Sequence, residues 1–463
     1  MEKIRRELAE KAQNDYHRLK FHIMPESGWL NDPNGLIQYK GKYHAFYQHH
    51  PYSPELGPIH WGHVISDDLV HWKYLPFALT PDQWYEMNCF SGSAVDNNGE
   101  LTLMYTADDE TRSPKQVQCI AFSNDGINFT KYENNPVITA PPSGFSEDFR
   151  DPKVFMHNDL WYFVAGCAKD NRGGILLYSS QDLRHWDYRG LACKSDGTQG
   201  EMWECPDLFK LDDTWVLVIS PVNMEDAKCI FITGDMDFET EVFTQKQWHK
   251  TDYGLSFYAP QTFLDEKGRR ILIGWMDMWG NEMPTQKNGW AGALTFPREL
   301  FLKNGEVWQQ PVEEINLLRK RKLHSGNIFL NNGKTNNLND VRGDCIEMKF
   351  KIPASEKCNG KLILNLRSSE DRQEKTVLSY DFCSGSFVFT DRQAESRLPS
   401  VKDTETIQVH ILIDRSSVEI FLYGGKYIIT NRIYPQSASI YYDLYTEGND
   451  IAISDLEIWE IDT

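Results

Sequence analysis

Short apolar runs rich in β-branched and aromatic residues recur along the first three hundred positions, each preceded by a polar turn. The runs His44-Ala45-Phe46-Tyr47, Leu101-Thr102-Leu103-Met104-Tyr105, Trp161-Tyr162-Phe163-Val164, Trp215-Val216-Leu217-Val218 and Ile271-Leu272-Ile273-Gly274-Trp275 start 57, 60, 54 and 56 residues apart. Ahead of them stand Lys40-Gly41-Lys42, Asp96-Asn97-Asn98-Gly99, His157-Asn158-Asp159, Asp212-Asp213 and Asp265-Glu266-Lys267-Gly268. Polar and glycine-containing turns between alternating strands predict β-hairpins. A second signal runs in phase: Ser66-Asp67-Asp68-Leu69, Ser123-Asn124-Asp125-Gly126 and Ser180-Gln181-Asp182-Leu183, each followed three residues later by Trp72, Phe129 or Trp186. A strand-rich unit of 50 to 60 residues repeated five times predicts a five-bladed β-propeller, with an ordinary large sandwich whose hairpins happen to be regular as the alternative.

The period fades after about Gly292, and Leu300 to Glu314 supply the last strands and a bridge. From Leu323 onward the alternation continues without the period, as in Ile346-Glu347-Met348-Lys349-Phe350 and Val418-Glu419-Ile420-Phe421-Leu422, which predicts a β-sandwich. No carboxylate or histidine constellation is legible in it. At the other end, Glu2 to Gln13 reads as a short amphipathic helix. The expected organisation is all-β: a helical extension over 1–19, a catalytic propeller over 20–315, and a linker with sandwich over 316–463.

Three acidic turns fall in phase with the repeat. Asp32 in Trp29-Leu30-Asn31-Asp32-Pro33-Asn34-Gly35 lies 12 residues before His44, Asp151 in Phe149-Arg150-Asp151-Pro152 lies 10 before Trp161, and Glu204 in Trp203-Glu204-Cys205-Pro206-Asp207 lies 11 before Trp215. Each stands at the entrance of the first strand of its unit, and in a propeller these strands line the central channel. The same offset in the other units reaches Phe90-Ser91 and Tyr258-Ala259-Pro260. The predicted ring therefore holds three acids, aromatic surface and a hydroxyl, which suits a sugar. Proline after Asp32 and Asp151 stiffens the backbone that presents each acid, and Arg150 offers a planar fork to a hydroxyl or a carboxylate. Three acids in a partly dry funnel cannot all ionise easily, so their pKa values should separate. Hydrolysis of an acetal needs that separation, with one carboxylate ionised to attack and one acid protonated to release the leaving group.

Composition narrows the partners. A formal charge of −19 over 463 residues argues against nucleic acid or an anionic membrane and leaves a small molecule as the expected partner. Nine cysteines without a C-x-x-C pair read as reduced thiols in a cytoplasmic protein, not as disulfides or a zinc site. The first twenty residues lack the apolar stretch of a signal peptide, and no run is long and apolar enough to span a membrane. His49-His50 and His60 with His63 lack a third ligand of convincing spacing, so no metal is expected, and no glycine-rich phosphate loop implies a cofactor. Cys205 is read as packing beneath Glu204, since no base stands near it in sequence.

At these residues the chain resembles glycoside hydrolase family thirty-two, the invertase and sucrose-6-phosphate hydrolase group. Trp29 to Gly35, Phe46-Tyr47-Gln48, His60-Trp61-Gly62-His63, Phe90-Ser91-Gly92-Ser93, Phe149 to Lys153, Trp203 to Asp207 and Phe257-Tyr258-Ala259-Pro260-Gln261 carry the likeness over nearly the whole chain. The resemblance implies a five-bladed propeller followed by a sandwich, and retaining hydrolysis of β-fructosides. It implies Asp32 as nucleophile, Glu204 as general acid/base and Asp151 as stabiliser of the transition state. Leu30, Asn31, Gln48, Trp61, Phe90, Ser91, Arg150, Cys205, Tyr258 and Trp275 are the substrate-binding residues it implies. No cofactor is implied, and the assembly is expected to be a monomer or homodimer. Where relatives often place a tryptophan before His60-Trp61-Gly62, this chain has Glu55-Leu56-Gly57-Pro58, an apolar wall without an aromatic ring.

Overall fold

In the computed structural model, which describes residues 1–336, 338, 340–353, 359–391, 395–401 and 406–462, the elements are strands apart from one α-helix, Glu2–Gln13, and two short 3₁₀ turns. Two compact units account for the chain. The first comprises 1–13, 23–251 and 257–307, and the second comprises 14–22, 252–256 and 308–463. The expected boundaries at 19/20 and 315/316 differ from these: 14–22 and 252–256 belong to the second unit, whose main part begins at 308.

The first unit is built from five sheets, one for each repeat read in the sequence, each with four antiparallel strands in chain order. Their first strands are Gly28–Tyr39, Asn88–Asn97, Phe149–His157, Met202–Leu211 and Tyr258–Leu264. The apolar runs that revealed the period fall in the second strands. Each first strand contacts the next, and Tyr258–Leu264 contacts Gly28–Tyr39, so the inner strands close a ring. A two-residue strand, Trp290–Ala291, pairs parallel with Gly28 and Trp29 and ties the end of the repeat to its start. Such radial repetition leaves only short, protected sheet edges.

The turns explain why the hairpins are tight. Tyr39 pairs Lys42, Asn97 pairs Glu100 and His157 pairs Leu160, which leaves two-residue loops. Both residues of each loop have positive φ: Lys40 and Gly41, Asn98 and Gly99, Asn158 and Asp159. That backbone matches the twist of the flanking strands, and glycine and asparagine adopt it at least cost. Between adjacent sheets the apolar faces pack, as where Phe46, Trp61, Leu79, Leu103 and Tyr105 form one cluster.

The second unit is a pair of six-stranded sheets enclosing Ile346, Met348, Phe350, Leu364, Ile411, Ile420 and Ile458. Contrary to the sequence reading, it contains a buried charged cluster. The two ring nitrogens of His22 lie 2.8 Å from Asp414 Oδ2 and 2.9 Å from Glu419 Oε1. Asp414 also accepts the backbone N–H groups of Lys20 and Phe21. Burial by itself would lower the imidazole pKa, but its hydrogen bonds to Asp414 and Glu419, reinforced by their charges, raise it above 6.5. The stabilisation from a protonated His22 is complete below pH 6.5 and is lost as pH rises through the raised folded value. Replacing His22 with alanine leaves two buried carboxylates without this partner and is expected to cost about 3 to 5 kcal/mol. Urea unfolding at pH 6 measures the loss, and a change below about 1 kcal/mol would refute the ion-pair account.

Candidate active site

A local break in pairing shapes the channel mouth. In every first strand the register slips at the same place, so that two residues oppose one on the second strand. The doubled residues are Asn31-Asp32, Phe90-Ser91, Asp151-Pro152, Cys205-Pro206 and Ala259-Pro260. These are β-bulges, which re-aim side chains and increase the local twist. Asp151, Cys205 and Ala259, the leading residues of three bulges, have φ of 63°, 48° and 48°. Non-glycine residues rarely adopt this left-handed region, and such strain concentrates at functional sites. Proline fills the trailing position of the same three bulges, where the ladder is interrupted and a backbone donor is dispensable.

The three acids occupy three different places relative to the slip. Glu204 is the last paired residue before its bulge, Asp151 leads its bulge, and Asp32 trails its own. Their environments differ accordingly. Asp32 is buried and accepts hydrogen bonds from Ser91 Oγ at 2.7 Å, Asn31 Nδ2 at 3.1 Å and Gln48 Nε2 at 3.3 Å. Asp151, also buried, accepts the backbone N–H of Cys205 at 2.8 Å, while its own N–H donates to Thr106 Oγ1 at 3.0 Å. The Cys205 thiol reaches Asp32 Oδ2 at 3.5 Å, so this one residue touches both acids. The expectation placed it beneath Glu204, whereas its contacts are to Asp32 and Asp151.

Glu204 is more open, with its side chain 21% exposed. Arg150 donates to Glu204 Oε1 through Nε at 3.2 Å and Nη2 at 2.9 Å, and the Tyr258 hydroxyl donates to Oε2 at 2.6 Å. Nη1 of Arg150 is held in turn by Asp148 at 2.9 Å and Gln116 at 3.3 Å. Burial pushes the Asp32 carboxyl up to about 6; the hydrogen bond from Ser91 opposes this and the Glu204 charge adds to it. Burial likewise raises Asp151 to about 7, opposed by Arg150 and assisted by the charges of Glu204 and Asp32. Both carboxyls are therefore harder to ionise than a carboxyl in water, as expected where acids share a partly dry pocket.

The pocket has a volume of about 760 Å³. Of the residues implied by resemblance, Asn31, Asp32, Gln48, Phe90, Arg150, Asp151, Glu204 and Tyr258 line it. Leu30, Trp61, Ser91, Cys205 and Trp275 do not; they are buried behind the wall. Ser91 braces Asp32, Trp61 Nε1 donates to the Cys89 and Phe90 carbonyls, and Trp275 packs against Trp29 and Trp279. Leu56 lines the pocket as well. The sequence reading missed Thr106, Gln116 and Asp148 as supports, and Met87, Glu110 and Trp279 as lining. Thr106 stands opposite a bulge, as Gln48 does, so counting across the hairpin would have found it.

The histidines weighed as ligands bond elsewhere. His49 Nδ1 lies 2.7 Å from the Trp29 carbonyl, His60 Nδ1 3.1 Å from the Pro58 carbonyl, and His63 Nε2 3.0 Å from His44. Burial lowers His49 to about 3 and His60 to about 4, so both are neutral.

A closed ring of bulged inner strands that gathers carboxylates at one mouth is the architecture of a propeller glycoside hydrolase. Residues 22–311 match the N-terminal domain of the glycosyl hydrolases family 32 and residues 314–460 its C-terminal domain, and the chain belongs to this family. It is 37% identical to a sucrose-6-phosphate hydrolase of Escherichia coli, over 95% of this chain and 94% of that protein. A raffinose invertase of the same organism is also 37% identical, with the same coverage. Among solved structures, a β-fructofuranosidase from Bombyx mori in complex with sucrose superposes with a TM-score of 0.87 at 33% identity, over 100% of this chain and 98% of that one.

Proposed function

We propose that this protein is a retaining β-fructofuranosidase that releases fructose from sucrose or sucrose 6-phosphate by double displacement. The observation that carries the reading is the convergence of Asp32, Asp151 and Glu204, from three sheets, on one pocket. In the first step an Asp32 oxygen bonds to the anomeric carbon of fructose as the glycosidic C–O bond breaks, and Glu204 gives its proton to the departing oxygen. In the second, Glu204 takes a proton from water, whose oxygen displaces Asp32 and frees fructose with retained configuration. Asp151 grips fructose hydroxyls as positive charge develops on the ring, and Arg150 and Tyr258 hold Glu204 in place.

Names of relatives support the substrate class: sucrose-6-phosphate hydrolase, raffinose invertase and a β-fructofuranosidase bound to sucrose. A fructan 1-exohydrolase with a TM-score of 0.84 supports exo-acting fructan hydrolysis as a second reading. The net charge of −19 favours a small sugar over nucleic acid, and eight free cysteines among the described residues favour a reducing, cytoplasmic setting. Fructose release from sucrose, sucrose 6-phosphate and inulin tests the assignment. Failure on all three would leave only a carbohydrate-binding propeller.

The hydrogen bond from Ser91 lowers the Asp32 pKa against burial. Ser91→Ala is therefore expected to raise it by roughly one unit, the worth of one hydrogen bond to a charged group. Since Asp32 must be ionised to attack, the acidic limb of the kcat/KM profile should move to higher pH. An unmoved limb would show that Asp32 does not govern it.

A further inference from the structure

The mouth of the pocket differs in character from its floor. Around the opening stand three exposed apolar side chains, Leu56, Met87 and Trp279, at 57%, 54% and 41% exposure. Grouped at one opening, they form an apolar surface for the C–H face of a sugar ring. Beside them Glu110 and Thr111 line the wall. The deeper part holds the carboxyls of Asp32 and Asp151, so the mouth is where the sugar leaving with the glycosidic oxygen must sit.

A phosphate on that leaving sugar would need a cation there, preferably a guanidinium fork. Among the lining residues Arg150 is the only cation, and all three of its nitrogens are engaged, by Glu204, Asp148 and Gln116. The loop that supplies Glu110 and Thr111 carries two more cations, neither of which lines the pocket. Arg112 lies 4.6 Å over the Trp84 ring and donates to the Trp84 carbonyl at 3.1 Å. Lys115 bridges Glu110 at 3.5 Å and Asp148 at 3.2 Å. What faces the leaving sugar is a carboxylate among apolar groups.

We infer that Leu56, Met87, Trp279 and Glu110 form a leaving-group subsite selective for an uncharged sugar, so that the preferred substrate is sucrose or a neutral extension of it and not the 6-phosphate. This rests on the β-fructosidase reading above. It also departs from the several relatives named for the phosphorylated substrate. Glu110, bridged to Lys115 behind it, is the carboxylate that lines the opening, where it accepts hydroxyl donors of a neutral sugar and disfavours a phosphate dianion.

The test is kcat/KM on sucrose, sucrose 6-phosphate and 1-kestose with the full chain at pH 7. Sucrose is expected to be preferred over its phosphate by at least about 10-fold. Salt weakens repulsion between exposed charges, so the phosphate should gain as salt rises from about 20 to 200 mM while sucrose stays flat. Glu110→Lys is expected to narrow the ratio about 10-fold, and Met87→Arg serves as a second variant on the same wall. Equal or better turnover of the phosphate overturns the inference and leaves the hydrolase assignment standing. A ratio that moves with neither variant overturns the role of these residues. No fructose from any of the three substrates removes the hydrolase assignment itself.

Discussion

Asp32→Asn is expected to lower kcat about 10⁴-fold or more while making the protein more stable at pH 8 than the parent. The first effect follows from its proposed role, since an amide cannot form the covalent intermediate. The second follows from burial. The Asp32 carboxyl has its pKa raised from 3.8 to about 6 in the folded protein. A group whose folded pKa is raised contributes stability that is fully present below its unfolded value and lost as pH rises through the folded one. At pH 8 the ionised, buried carboxylate therefore costs about 3 kcal/mol, from two units at about 1.4 kcal/mol each. Asparagine cannot ionise and is relieved of that cost, but its NH₂ group faces donors from Ser91, Asn31 or Gln48, which offsets part of the gain. A net stabilisation of about 1 to 2 kcal/mol at pH 8 that vanishes near pH 4 is the expected signature. Thermal unfolding at the two pH values reads it out. Substantial residual turnover would remove Asp32 from the nucleophile's place, and equal destabilisation at both pH values would refute the cost assigned to its buried charge.

Glu204→Ala should lower kcat/KM on sucrose by about 10²- to 10⁴-fold, the range for loss of a positioned general acid. The size of the effect matters less than its dependence on the leaving group. β-Fructosyl fluoride needs no proton to depart, so the variant should form the covalent intermediate from it with a much smaller loss. Added azide should then restore turnover, because a small anion can attack without a base, and the product should be β-fructosyl azide. Equal losses on sucrose and the fluoride, without rescue, would assign Glu204 a binding role. An azide of inverted configuration would instead refute double displacement.

Much of this was readable before any coordinates. The period of the apolar runs, with the turns at Lys40-Gly41, Asn98-Gly99 and Asn158-Asp159, reports local backbone preferences that tertiary structure does not overrule. Counting back from those runs located Asp32, Phe90-Ser91, Asp151, Glu204 and Tyr258 as one ring. What counting could not resolve was the slip. Offsets of 12, 10 and 11 residues hinted that the three acids are not equivalent, but a bulge is defined by pairing between strands. It is therefore invisible until both strands are placed. Ser91, Cys205 and Trp275 show the same limit, since resemblance assigns a residue to a site without saying whether it faces the ligand or braces one that does. Met87, Glu110 and Trp279 lie off the phase of the repeat, and nothing in the spacing marks them. The His22 cluster was illegible for a different reason: its carboxylates, Asp414 and Glu419, stand nearly four hundred residues away.

The five bulges also bear on how such a site can change. Along an ordinary strand each side chain is bound by alternation, so moving one group from the sheet face to the channel drags its neighbours with it. Where two residues oppose one, that obligation is suspended and then restored, and the ladder beyond resumes undisturbed. Each sheet thus contributes a short cassette, and exchange among Asp151-Pro152, Cys205-Pro206 and Ala259-Pro260, whose leading residues share a left-handed φ, changes the chemistry while keeping the backbone.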